Sequence, residues 1–148
     1  TLPDTIGQLG NLQELDLSGN KLTTLPTEIG QLIKLQTLDL SKNQLTALPA
    51  EIGQLGNLQK LDLSGNKLTT LPDTIGQLDN LQELDLSGNK LTTLPESMDQ
   101  LRNLQIINLR DNMLGYDLDV LPNSIQRLYH KRNGALEIWL NDPVAEVR

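Results

Sequence analysis

The chain has 148 residues with 12 Lys and Arg against 19 Asp and Glu, a formal charge of −7, one His and no Cys or Phe. That length suits one domain with an extended core. The absence of Cys excludes disulfides, thiolate metal sites and thiol redox chemistry. The acidity argues against phosphate backbones and anionic lipid, so neither nucleic acid nor membrane is expected as a partner. No run reaches the roughly 18 apolar residues that span a bilayer, and no basic-then-apolar leader stands at the start. The chain therefore reads as soluble, either cytoplasmic or secreted from a bacterium without disulfides.

Residues 1–9, TLPDTIGQL, recur as residues 70–78, so the chain opens inside a repeat and reads as a fragment. NLQELDLSGNKLTTLP at 11–26 recurs letter for letter at 80–95, and the copy at 57–72 differs only at Lys60. KLQTLDLSKNQLTALP fills 34–49 and a looser NLQIINLRDNMLG fills 103–115, giving five consecutive units with a period of 23 residues. A fixed period of that size marks stacked supersecondary units. Residues 1–115 hold 8 Lys and Arg against 14 Asp and Glu, a net −6, so the acidity belongs to the repeats.

In the first full unit, Leu12, Leu15, Leu17, Leu22, Leu25, Ile29 and Leu32 form the apolar columns. Leu15-Asp16-Leu17 alternates with period two, the mark of a short strand with one buried face. A turn follows at Asn20, Asn43, Asn66, Asn89 and Asn112. A short return begins after Pro26, Pro49, Pro72 and Pro95, with Pro3 as the partial first instance. Returns of this length let successive strands lie parallel and adjacent as the inner wall of a coil. A lone unit buries too little to offset its ordering entropy, so stacking supplies the stability and the ends need caps. The Asn column reads as a structural ladder, because a carboxamide both donates and accepts and so satisfies the buried backbone of a turn. A polar binding ladder is the alternative.

These columns spell LxxLxLxxNxLxxLP, and over residues 2 to about 115 the chain resembles the leucine-rich repeat family. The LPxxIGxL continuation, as in LPTEIGQL, looks most like the 23-residue class of bacterial proteins and of plant intracellular Ras-group-related repeat proteins. The resemblance implies an α/β repeat solenoid: a curved right-handed coil, a parallel β-sheet on the concave face and short helical or irregular returns on the convex face. It also implies protein recognition through the concave face. Residues 1–115 are the expected solenoid and 116–148 a C-terminal capping segment.

Two departures stand out. Asp99 takes the place of Gly30, Gly53 and Gly76, so that turn is expected to differ. Leu121-Pro122-Asn123-Ser124-Ile125 resembles the LPxxI element but arrives four residues late, where the cap should begin. The tail then reads as a short helix ended by Gly134 and a final strand around Leu136, Ile138 and Leu140. Tyr116, Tyr129 and Trp139 are expected to plug the core. Arg127, His130, Lys131 and Arg132 read as a solvated helix end rather than an anion site.

If the Leu columns face inward, the residues beside them line the concave wall as the expected partner-binding set. One column varies: Glu14, Thr37, Lys60, Glu83, Ile106. The next is nearly constant: Asp16, Asp39, Asp62, Asp85, Asn108, with Arg110 in the column beyond. Variation inside a copied unit is where partner discrimination can be written. The four aspartates, expected about 4.8 Å apart across the sheet, repel by about 1 kcal/mol per neighbouring pair in water and about 3 to 4 at an effective dielectric near 20. Lys21, Lys67 and Lys90 are expected to offset this. A solvated column, a docking strip for Lys or Arg of a partner, and a calcium site are the three readings. A flat strip does not converge six to eight oxygens on calcium. No metal or cofactor is therefore assigned.

No catalytic residue is assigned. The one His lies in the tail, and acid–base work needs carboxyls in unlike environments. The leading expectation is a monomeric protein-binding module with a polar or basic protein partner, a bacterial effector or host-interaction protein. The second is the targeting arm of a larger enzyme such as a ligase, kinase or GTPase. The third is a purely structural repeat.

Overall fold

The computed structural model describes residues 1–114 and, as backbone, the strands at 137–139 and 146–147. Strands β1 (Glu14–Asp16), β2 (Thr37–Asp39), β3 (Lys60–Asp62), β4 (Glu83–Asp85) and β5 (Ile106–Asn108) follow one another at the repeat spacing, then β6 (Glu137–Trp139) and β7 (Glu146–Val147). They form one sheet in chain order, parallel from β1 to β6, with β7 antiparallel to β6. Register is strict: Leu15, Leu38, Leu61, Leu84 and Ile107 lie side by side. The result is a curved solenoid with a parallel sheet on its concave side and short connectors behind it.

Each return carries a five-residue 3-10 turn: η1 (Asp4–Gln8), η2 (Thr27–Gln31), η3 (Ala50–Gln54), η4 (Asp73–Gln77) and η5 (Glu96–Gln100). Proline sets each one up. Pro26 sits at φ −68° and ψ 151°, an extended conformation its ring favours, and its carbonyl accepts the Ile29 N–H at 3.1 Å. The Leu and Ile columns fill the space between sheet and turns; from Ile29 to Leu45 every column residue is 0 % exposed.

Two glycine columns serve different purposes. Gly19, Gly65 and Gly88 adopt positive φ near 67° to 69° at the turn after the strand, and Lys42 and Asp111 take the same left-handed conformation in their units. Gly30, Gly53 and Gly76 are absent from that left-handed set. They are needed for close approach: a Cβ on Gly30 would stand 2.7 Å from Glu51 O, and one on Gly53 2.5 Å from Thr74 O. This explains why the turn at Asp99 keeps the shape of its neighbours, contrary to the sequence expectation. Leu101 after η5 has φ −78° and ψ 75°, against −79° and 72° at Leu78. Glycine there governs the fit of the next unit, not the conformation of its own turn.

The final strand read in the tail corresponds to β6, which pairs with β5 in register Ile107 to Ile138. The expected tail helix, Tyr116, Tyr129 and the basic cluster at Arg127, His130, Lys131 and Arg132 lie outside the described residues, as does the side chain of Trp139.

Candidate functional site on the concave wall

Because strand side chains alternate between faces, the inward Leu of each three-residue strand leaves two outward neighbours. Register then assembles them into columns. Glu14, Thr37, Lys60, Glu83 and Ile106 are successive neighbours across the sheet, as are Asp16, Asp39, Asp62, Asp85 and Asn108. The middle of this wall forms a depression of about 300 Å³ lined by Thr37 to Asp39, Lys60 to Asp62, Glu83 to Asp85, Ile106 and Asn108. Glu14, Asp16 and Arg110 are not part of its lining.

Each aspartate has a second occupation that the sequence did not reveal. Asp39 Oδ1 accepts the Ser41 N–H at 2.9 Å and the Ser41 hydroxyl at 2.6 Å. The same pair of bonds recurs from Ser18 to Asp16, Ser64 to Asp62 and Ser87 to Asp85. These are Asx-type turns that hold the chain as it leaves the strand. Asn108 does the same work without charge, its Oδ1 accepting the Arg110 N–H at 3.1 Å. The serine column thus turns toward the aspartates, and Ser41 is buried. At Asp16 the Ser18 hydroxyl and then its N–H hold the carboxyl below the usual range.

The offset expected from Lys21, Lys67 and Lys90 is not found: none forms an ion pair among the described residues. The pairing lies instead within the variable column, Lys60 Nζ to Glu83 Oε2 at 3.7 Å, both side chains exposed. Among the described residues, no group of three or more acidic, His or Cys side chains could hold a metal ion. These residues also include neither His nor Cys, and the aspartates repeat one environment.

Behind the wall, Asn43, Asn66, Asn89 and Asn112 are buried at 6 to 7 % exposure, whereas Asn20 is exposed. Asn66 Nδ2 donates to Leu40 O, Leu63 O and Ser64 O at 2.9, 3.0 and 3.3 Å, and its Oδ1 accepts the Leu45 N–H at 3.0 Å. A second ladder went unread in the sequence. Asn57, Asn80 and Asn103 donate to Ile33 O, Gly56 O and Asp79 O of the preceding unit at 2.7, 2.6 and 2.7 Å. The signal was present, since Asn11, Asn57, Asn80 and Asn103 share the 23-residue spacing.

Comparison with known proteins agrees with this geometry. A family model described as leucine-rich repeat region matches residues 2–84, and two further leucine-rich repeat models match residues 56–114 and 103–128. No curated protein matches. Among solved structures, an LRR protein of Leptospira interrogans is 44% identical with a TM-score of 0.74, over 95% of this chain and 40% of that one. PEPR1-AtPEP1 is 34% identical with a TM-score of 0.69, over 88% of this chain and 18% of that one. The chain thus spans less than half the length of either.

Proposed function

This chain belongs to the leucine-rich repeat family, and we propose that it is a protein-binding module whose concave wall holds a partner with a polar or basic surface. The observation that carries this reading is the variable column. Within units copied almost letter for letter, Glu14, Thr37, Lys60, Glu83 and Ile106 differ in charge, size and polarity, and register sets them side by side. The adjacent aspartates add negative potential beside the depression, which favours Lys and Arg over acidic groups. From β1 to β5 the wall lacks the aromatic anchors common in interface hot spots, so the contact there is expected to be polar and of modest affinity. The likeness to a Leptospira interrogans protein supports a bacterial origin, the setting in which an effector or host-interaction role is proposed. The likeness to the PEPR1-AtPEP1 structure supports binding by a chain of this fold. Residues 1–115 act in this reading as the solenoid and 116–148 as its cap.

Affinity capture with the wild type, beside a folded Glu14→Lys, Lys60→Glu, Glu83→Lys variant, tests it. A protein retained by the wild type and lost by the variant is the expected result. Identical capture by both overturns the wall as the contact surface.

The second reading, a targeting arm of a larger enzyme, draws on the length of the chains matched, of which this one covers 40% and 18%. A catalytic domain in the same reading frame supports it. A full-length protein made of repeats and cap alone removes it.

A further inference from the structure

The concave wall changes chemistry along the stack. In β1 to β4 the two outward columns hold six carboxylates, Lys60 and Thr37. In β5 the same positions are Ile106 and Asn108, both uncharged, beside Glu83 and Asp85. Arg110 then stands where the other units have a serine such as Ser87. In β6, Ile138 pairs with Ile107, which sets Glu137 next to Ile106 and Trp139 next to Asn108 in register. The aspartate column therefore ends in an amide and then in the single tryptophan of the chain.

The needs of the fold account for only part of this pattern. Turn closure requires an acceptor at the aspartate position, and Asn108 supplies one without charge. The negative charges of Asp39, Asp62 and Asp85 are thus not demanded by the turn, and as neighbours they repel. Nor does the strand demand an aliphatic residue at Ile106, since Thr37 holds that column position in its own unit. Ile106 is partly exposed, and with Asn108 it lines the end of the depression away from Thr37 and Asp39.

We infer that the depression takes a short protein segment of mixed chemistry laid across the strands, with Lys or Arg against Asp39, Asp62 and Asp85 and a Leu-like side chain on Ile106. This rests on the concave wall being the contact surface. Charge complementarity fixes which end is which, because cations are drawn to the aspartates and repelled from Arg110. An apolar side chain on Ile106 removes aliphatic surface from water, whereas over the aspartates it would strip water from carboxylates. From β2 to β5 the sheet advances three strand spacings, about 14 Å. An extended chain covers that in about four residues.

The probes are the capped peptide Arg-Ser-Arg-Ser-Leu, its reverse sequence, and the same pair with Ser in place of Leu, titrated calorimetrically into the intact chain. The tighter chain direction is carried forward. The variants are Ile106→Thr and Asp62→Asn, each placing in its column a residue that the column already holds, and unfolding midpoints check that both are folded. The wild type should bind the Leu peptide about fivefold more tightly than the Ser peptide. Ile106→Thr should bring the two within about twofold, while Asp62→Asn weakens both by about threefold at low salt. Emission from Trp139 should change with the Leu peptide and not with the Ser peptide. Equal binding of the two peptides by the wild type, or a Leu preference that survives Ile106→Thr, overturns the mixed occupant. If Asp62→Asn still weakens both, the wall stands as the contact for a purely basic partner. Binding indifferent to both variants overturns this inference and the wall reading together. No heat with any peptide at millimolar concentration overturns the inference alone, since capture of a whole partner tests the wall separately.

Discussion

Asn66 accepts the N–H of Leu45 at 3.0 Å across the boundary between two repeats, and the pair is buried. The same carboxamide donates to Leu40 O in that preceding unit. One side chain therefore fixes its own turn and the seam beside it. Asn66→Ala takes the acceptor from the buried Leu45 N–H, while Leu40 O, Leu63 O and Ser64 O each lose one donor and keep the Asn43 amide, the Asn89 amide and the Lys42 N–H. It should cost about 3 kcal/mol. Asn20→Ala removes bonds to Leu17 O and Ser18 O in an exposed setting and should cost under about 1 kcal/mol. Urea unfolding of the two variants checks the contrast. Equal losses would mean that the inter-repeat bond contributes nothing.

Gly53→Ala should destabilise by about 2 kcal/mol although alanine is the better helix former. The new Cβ meets Thr74 O at 2.5 Å and Thr74 Cβ at 2.8 Å, so two returns must separate. A thermal midpoint at or above that of the wild type would show that the returns have slack. The sequence holds its own version of this experiment at Asp99. There a side chain occupies the glycine position and the turn is retained, while the regular repeat pattern breaks within the next unit.

Much of the fold was legible because burial recurs at a fixed period. Leu15, Leu38 and Leu61 declare themselves as a column, and a strand of three residues with one buried face follows. Function at constant polar positions was harder to read. Asp39 and Asn57 both recur every 23 residues, yet one closes an Asx turn on the wall and the other bridges to the preceding unit at its far rim. Repetition shows that a position matters to every unit without showing what it touches. The two glycine columns show the same gap, since Gly65 answers to φ and Gly53 to a neighbour's carbonyl.

Lys42 stands at φ 56°, where Gly65 and Gly88 stand at 67° in their units. A side chain in the left-handed region costs roughly 1 to 2 kcal/mol, offset in part by the extra freedom glycine brings to the unfolded chain. Lys42→Gly should therefore stabilise by about 0.5 kcal/mol. Gly65→Ala should do the reverse by about 1 kcal/mol. Thermal unfolding of both variants tests the pair, and a loss of stability in Lys42→Gly would mean that the lysine stem contributes packing greater than its strain.

Lys60 and Glu83 face each other across β3 and β4 at 3.7 Å, with side chains 58% and 42% exposed. An exposed pair at that distance contributes under about 0.5 kcal/mol. Reversing either charge should leave the fold intact and the unfolding midpoint nearly unchanged, even at low salt. A drop of several degrees on Lys60→Glu would reveal a structural role for the variable column and weaken its reading as a recognition surface.

Asn108 supplies a natural test of the aspartate strip, since it closes the same turn with an amide. Asp62→Asn keeps the Oδ1 acceptor for Ser64 and removes one charge from the middle of the row. It should be neutral or slightly stabilising, most visibly at low salt, where repulsion along the strip is least screened. Asp62→Ala loses the acceptor and should cost about 1 kcal/mol. The contribution of pH has a definite sign at Asp16. Its folded-state pKa lies below the usual value, so the associated stability is present above the unfolded-state pKa and is lost as pH falls through the folded one. The group is exposed, and the effect on global stability is correspondingly small. Ser18→Ala removes the larger cause and should move the Asp16 carboxyl upward in an NMR titration, leaving the residual lowering to the Ser18 N–H. If the titration does not move, the hydroxyl bond does not persist in solution and the turn rests on the backbone alone. If it does move while Asp62→Asn weakens capture of the partner, the strip has two separable functions: its Oδ1 atoms hold the turns, and its charge draws the ligand.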